Sequence, residues 1–316
     1  MWTWLRKPEP GAAGGKAERV LARLEWTVLR RLDGQLQGEH RSLFRGAGLD
    51  LCDLREYQFH DDVRHIDWNV TARLDTPYVR QYTESRELDV WFLIDLSASV
   101  GFGSGEVGKH TLARDFSAAL ARLFTRQGNR VGAALYRGAD EPAAASVLPA
   151  RGGRNQVLAL LHRIEATPLQ AAGPTELASF FDRAAGLIRR RSLVFAISDY
   201  QSRPGWPDAL GRLALRHEVI AVRLVDPLER ALPDLGILVL EDAETGEQLQ
   251  VDTHLASFRR RFAEASERRE AALEQGFAQA GVDALELATD EDLADAVLRF
   301  ARLRKLHGRS AAGAAR

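Results

Sequence analysis

The 316-residue chain has one cysteine, Cys52, so it forms no intrachain disulfide and supplies no zinc-finger ligand set. That scarcity fits a reducing compartment. Long hydrophobic runs are also missing: no stretch approaches the roughly 18 apolar residues that span a bilayer. The opening MWTWLRKPEPGAAGGK lacks the apolar segment, about 7–15 residues long, of a secretory signal. Charge of one sign is lacking too. Lys plus Arg number 43 and Asp plus Glu 44, a net charge of −1. This balance removes the electrostatic case for a dedicated nucleic-acid or anionic-membrane binder. A cytoplasmic protein with no transmembrane segment is the expectation.

What is present suffices for a core: 45% of residues are hydrophobic and 28% charged. Residues 1–40 read as a loose leader, ending in Gly-Ala-Ala-Gly-Gly, and a helix carrying Leu21, Leu24, Val28 and Leu32 that stops near Gly34. Residues 41–88 mix charges with aromatics and show no period, which predicts short strands and turns anchored by Tyr57 and Trp68. From 89 to 304 strands and helices alternate. Apolar runs at 90–94, 131–136, 147–148, 192–197, 218–225 and 284–287 read as strands. Helical spacing covers 111–126, 155–164, 176–188 and 207–215. Segments 237–240 and 248–251 flank EDAETGE as a hairpin. Leu255, Phe258, Phe262, Leu273 and Phe277 stripe a long helix, so 232–280 reads as an elaboration. Asp290 is placed to cap a last helix through Leu303, and 305–316 is a flexible tail.

Such alternation predicts an α/β fold with a doubly wound, mainly parallel sheet, whose ligands sit beyond the carboxyl ends of the strands. The first apolar strand ends in Asp95-Leu96-Ser97-Ala98-Ser99. In extended chain, residues two apart share a face, so Asp95, Ser97 and Ser99 point together. One carboxylate and two hydroxyls make an all-oxygen set suited to a hard divalent cation, magnesium or manganese. Thr175, in Ala-Gly-Pro-Thr-Glu before a helix, and Asp199, after a buried strand, belong to the same edge. Each residue alone also fits a local role: Asp95 and Thr175 as caps, Ser97 and Ser99 as small turn residues, Asp199 as a turn residue before Pro204.

DLSAS, GPTEL and ISDY resemble the metal-ion-dependent adhesion site of von Willebrand factor type A domains. LREYQFHDDVRHIDWNVTARLDTPYVRQY and DPLERALPDLGILVLEDAETGEQLQVD are similar to stretches of the domain-of-unknown-function-58 family, in which the first precedes a von Willebrand-like domain. The resemblance covers about residues 40–260. It implies a von Willebrand type A-like fold with an N-terminal helical and β extension, in a bacterial protein often encoded beside a MoxR-type AAA+ ATPase. It also implies a metal-assisted protein-binding role, non-enzymatic, directed at that ATPase or another protein presenting an acidic residue. Ser97, Ser99 and Thr175 then act as direct ligands, and Asp95 and Asp199 as ligands direct or through water. Where family members commonly have Gly-Gly before the threonine, this chain has Gly173-Pro174.

Two alternatives remain at this point. Gly103-x-x-x-x-Gly108-Lys109 nearly matches a phosphate loop, with Asp199 as acidic partner, which would suit a nucleotide- or phosphate-handling enzyme. Against it, His110 stands where a metal-binding hydroxyl belongs, and the glycines begin eight residues after Asp95. The other alternative is a degenerate scaffold without metal. His60 and His65 with Asp61, Asp62 and Asp67 also form a charged cluster, read more simply as a paired surface turn.

Overall fold

Strand and helix patterns alternate along this chain, and the computed structural model shows where each of them lies. It describes residues 10–32, 53–58, 68–74, 76–81, 88–138, 147–170 and 173–299. Helix α1, Pro10–Leu24, runs through a π turn at Glu25–Leu29 to residue 32. The glycine–alanine stretch expected in a loose leader is therefore helical. A first-turn proline has no helical N–H bond to lose, and alanine favours the helix. Next, β1 (Asp53–Glu56) pairs antiparallel with β2 (Tyr78–Gln81), with the short α2 (Trp68–Leu74) between them. Trp68, expected as a core anchor, stands 69% exposed. Among the described residues, a two-turn helix beside two strands offers too little surface to cover an indole. Cys52, Gly34, the charged cluster from His60 to Asp67 and the tail 305–316 lie outside the described residues.

The alternation then resolves as β3 (Asp89–Asp95), α3 (Lys109–Arg126), β4 (Arg130–Tyr136), β5 (Val147–Arg151), α4 (Arg154–Ala166), α5 (Leu177–Leu187), β6 (Leu193–Ser198), α6 (Trp206–Ala214) and β7 (Glu218–Val225). It continues with β8 (Ile237–Glu241), β9 (Gln248–Asp252), α7 (Ala256–Ala280) and β10 (Asp283–Ala288). A last helical stretch covers 293–299. Its cap is Asp292, not the expected Asp290: Asp292 Oδ1 accepts from the amides of Ala294 (2.9 Å) and Asp295 (3.1 Å). Both aspartates precede the helix, and only the geometry of the amides separates them. Among the described residues no helix is long and apolar enough to cross a membrane.

Six strands form the main sheet in the order β10-β7-β6-β3-β4-β5. Every neighbouring pair is parallel except β4–β5 at the edge. This is the α/β, doubly wound, mainly parallel arrangement that the alternation of strands and helices predicts. β3 lies inside the sheet, buried along its whole length. Its side chains alternate between two cores, as the period of two requires. Val90, Phe92 and Ile94 face a layer containing α1, α3 and α4, while Trp91 and Leu93 face α5, α6 and α7. Phe92 stacks on Phe195 of β6 at 5.3 Å, and Phe116 of α3 meets the same ring edge-on at 5.8 Å. Truncating such a buried phenylalanine costs about 3–5 kcal/mol.

The long helix α7 departs from its expected stripe. Only its C-terminal part joins the core, through Leu273 and Phe277, while Leu255 is its exposed N-cap. Gly276 allows this approach: a Cβ there would lie 2.7 Å from the Trp206 ring. The hairpin β8–β9 forms a separate two-stranded antiparallel sheet.

Candidate functional site

All five expected site residues are buried at the carboxyl edge of the main sheet. Asp95 closes β3, and a 3-10 turn, Ala98–Gly101, follows it at once. Asp95 Oδ1 accepts from the Ser97 amide (2.8 Å), which folds the chain back on the carboxylate. The Ser97 and Ser99 hydroxyls are 3.2 Å apart. From the end of neighbouring β6, the Ser198 hydroxyl donates to Asp95 Oδ2 at 2.6 Å. Burial, followed by the charge of Asp199, holds the Asp95 carboxyl well above the ordinary carboxylate value, against the hydrogen bonds from Ser198 and Ser97.

Asp199 sits beside a backbone turn of unusual conformation. Tyr200 has φ +59°, the only positive φ at a non-glycine among the described residues. Its hydroxyl donates to the Ala196 carbonyl (2.8 Å), and its ring packs against Trp206 and Phe277 at 4.9 and 4.8 Å. Those contacts over-determine a conformation that costs about 1–3 kcal/mol, as is common beside functional groups.

Thr175 lies in the loop before α5, and the surrounding edge ties that loop down. Its carbonyl accepts from Arg203 N (2.9 Å) and from the Ser202 hydroxyl (3.0 Å), both in the loop after Asp199. The Tyr136 hydroxyl, at the end of β4, accepts from the Glu176 amide (2.7 Å). Thr175 Oγ1 itself is fully buried and has no hydrogen-bond partner among the described residues. An unsatisfied buried hydroxyl costs about 1–3 kcal/mol, a cost that an ion or an ordered water at this position would remove.

Lys109 counts further against the phosphate-loop alternative. Its side chain is 0% exposed, and Nζ donates to Asp199 Oδ2 (2.7 Å) and Glu229 Oε1 (2.8 Å). Burial works against that ammonium, but the charges of Asp199 and Glu229 outweigh it and hold its pKa above the ordinary lysine value. A lysine committed inward is not available to cradle phosphate. The loop glycines have their own reason: a Cβ on Gly103 would lie 2.4 Å from the Gly108 Cα. Ser104 fastens the same loop to Asp226, its amide at 2.9 Å and its hydroxyl at 2.6 Å.

The edge therefore has two halves. Asp199 is neutralised by Lys109, whereas Asp95 is surrounded by hydroxyls and amides. Among the described residues no three His, Cys, Asp or Glu side chains are grouped to hold a metal. Any ion here would rest on two carboxylates and the hydroxyls of Ser97, Ser99 and Thr175, a hard, oxygen-only set. The orphaned Thr175 hydroxyl and the cation-poor surroundings of Asp95 fit such an ion.

Several residues of the edge were not singled out in the sequence. Glu229 carried a usable signal, since Asp226-x-x-Glu229 is a capping box, formed here in full. Ser198 adjoins Asp199 in ISDY, but its bond to β3 depends on strand order. Glu244, in the β8–β9 turn, accepts from Thr175 N through Oε1 (3.0 Å), and its carbonyl accepts from Gly173 N (2.9 Å). Nothing local announces a contact so distant in sequence.

The family model described as "Protein of unknown function DUF58" matches residues 53–272. An uncharacterized protein of Mycobacterium tuberculosis is 38% identical over 293 residues, covering 92% of this chain and 90% of that protein. Among solved structures, the conserved hypothetical protein BatB of Bacteroides thetaiotaomicron superposes with TM-score 0.42 at 12% identity, over 69% of this chain and 98% of that one. The SpRpn10 VWA domain superposes with TM-score 0.36 at 13% identity, over 67% of this chain and 95% of that one.

Proposed function

The chain belongs to the DUF58 family of proteins of unknown function, and from that premise we propose that it is a non-enzymatic interaction module whose sheet edge captures an acidic residue of a partner through a divalent ion. Ser97, Ser99 and Thr175 would hold magnesium or manganese with Asp95 and Asp199. The neutral hydroxyls leave a bound ion with positive character, which is the chemistry it supplies to a partner carboxylate. The chain's own residues do the rest. The Ser97 amide and Ser198 hydroxyl orient Asp95, and Lys109 fixes Asp199. The observation that carries this reading is the fully buried Thr175 hydroxyl with no partner among the described residues, at an edge where Asp95 is short of positive charge.

The partner we propose is a MoxR-type AAA+ ATPase in the cytoplasm. Its identity rests on the family resemblance, and the mechanism on the ligand set. Pull-down of bound proteins with and without EDTA, beside calorimetric titration of Mg²⁺ into wild type and Asp95→Ala, tests both parts. Equal ion binding by the two proteins would end the site assignment, and capture that survives EDTA would end the metal mechanism.

One observation favours a second reading. The Lys109 ammonium already neutralises Asp199, so the edge could serve as a metal-free scaffold. Failure of wild type to bind Mg²⁺ or Mn²⁺ would select it.

A further inference from the structure

The β8–β9 hairpin is a minor sheet that reaches the edge of the major one. A two-stranded hairpin is marginally stable by itself, and this one leaves Ile237 and Val239 largely exposed on one face. Its tip is organised to present one residue. Asp242 Oδ1 accepts from the amides of Glu244 and Thr245 (both 2.9 Å), fixing the turn around Glu244. Among the described residues, every hydrogen bond between the tip (242–247) and the rest of the molecule is made by Glu244. Both bonds end on the loop that holds Thr175, at Gly173 N and Thr175 N. The carboxylate thus rests on the amide of the residue whose hydroxyl is orphaned.

We propose that this hairpin is a latch: Glu244 is an internal acidic ligand that takes the place a partner's Asp or Glu would occupy, and it swings away when the partner binds. The inference rests on the metal-edge reading and adds its regulation. The chemistry is the same on both sides of the exchange, a carboxylate delivered to the Thr175 rim. The tether gives Glu244 a high effective concentration, so a weak internal contact suffices to compete. A latch closed about nine-tenths of the time lowers apparent partner affinity roughly tenfold.

The test uses the full chain and two defined probes. Mn²⁺ is titrated by electron paramagnetic resonance into wild type, Ser97→Ala, Glu244→Ala and Glu247→Ala. At saturating Mn²⁺ the peptide acetyl-Gly-Asp-Gly-amide is then titrated and followed by water-proton relaxation. Glu244→Ala should bind the peptide about tenfold more tightly than wild type, while Glu247→Ala, which removes a neighbouring exposed charge, should match wild type. Equal peptide affinity in wild type and Glu244→Ala, with normal Mn²⁺ uptake, overturns the latch and leaves the metal edge standing. A gain in Glu247→Ala equal to that in Glu244→Ala also overturns it, since general charge would be the cause. Wild type that takes up no Mn²⁺, or Ser97→Ala that takes it up equally, removes the metal-edge assignment and the latch with it.

Discussion

Asp95 and Asp199 stand at the ends of neighbouring parallel strands, both buried, and their surroundings treat them differently. Asp199 has a fully buried ammonium 2.7 Å away. Asp95 has hydroxyl and amide donors, and its carboxyl is pushed upward by burial and by the charge of Asp199. The difference shows that position alone does not set the state of a strand-end aspartate: one carboxylate lies in a buried ion pair, and the other is held by hydroxyl and amide donors. Lys109 makes one half of this edge a finished ion pair. The hydrogen-bond partners of Asp95 in the other half are a hydroxyl and an amide.

The largest effect should come from breaking the finished half. Lys109→Met leaves Asp199 buried, and Glu229 partly buried, without their cation, and breaking a buried pair from one side costs about 3–5 kcal/mol. Urea unfolding should show that loss. Asp95→Asn should cost far less, because it removes a carboxylate without stranding a cation. Equal losses for the two variants would contradict the division of the edge.

Next in size is the ion itself. An ion bound only by the folded state stabilises it by about 2.7 kcal/mol at a concentration 100 times its Kd. Thermal unfolding in Mg²⁺ should therefore rise for wild type and stay flat for Thr175→Val. In EDTA the order should reverse, with Thr175→Val more stable than wild type by about 1 kcal/mol, since an unsatisfied buried hydroxyl has been replaced by a methyl group of similar shape. A Thr175→Val protein destabilised in EDTA would mean that the hydroxyl has a partner within the fold.

The loop that carries Lys109 offers a smaller, pH-dependent test. At Asp226, burial is outweighed by hydrogen bonds from the Ser104 side chain and amide, the Leu228 amide and the Thr289 hydroxyl, which hold its carboxyl below 3.8. A depressed folded-state pKa means stability present in full above the ordinary value and lost as pH falls through the folded value. Asp226→Asn should cost about 1–2 kcal/mol at neutral pH, and its deficit should shrink in acid. A deficit independent of pH would show that the carboxylate charge is irrelevant to the clamp.

The fold was legible because its signals are local. Apolar strands such as SLVFAI and helices spaced on Leu112, Phe116, Leu120 and Leu123 declare themselves within a dozen residues. The shared location of Asp95, Ser97, Ser99, Thr175 and Asp199 was also legible, since strand alternation groups the first three and strand-end logic puts the other two at the same edge. The glycine loop before Lys109 was visible, and His110 already counted against a phosphate loop there, but such a loop says nothing about which way the ammonium points. Burial reverses that side chain's meaning, and burial depends on where β6 and the Glu229 turn arrive. Glu244 was illegible for a related reason: EDAETGE specifies a hairpin turn, while its destination is set by tertiary packing. Asp290 and Asp292 differ only in which free amides they meet. Contacts made across the sheet edge, far apart in sequence, leave no periodic trace.

The smallest expected effect sharpens the comparison most directly, because it keeps the distance and changes only the solvent. Arg203 Nη1 lies 2.8 Å from Glu176 Oε1, almost the separation of Lys109 from Asp199, and it adjoins the same Thr175 loop. Its side chain is 61% exposed, whereas that of Lys109 is 0% exposed. In water the Coulomb gain is mostly cancelled by solvation and by the entropy of ordering two long side chains, so exposed pairs contribute about 0–1 kcal/mol. Arg203→Ala keeps the backbone amide that donates to the Thr175 carbonyl, and so removes the ion pair alone. Unfolding of Arg203→Ala, Glu176→Ala and the double variant should give a coupling below about 1 kcal/mol, shrinking further in high salt. A coupling as large as the Lys109→Met loss would mean that proximity alone sets the strength of charge pairs at this edge, and the contrast between its halves could no longer be ascribed to burial.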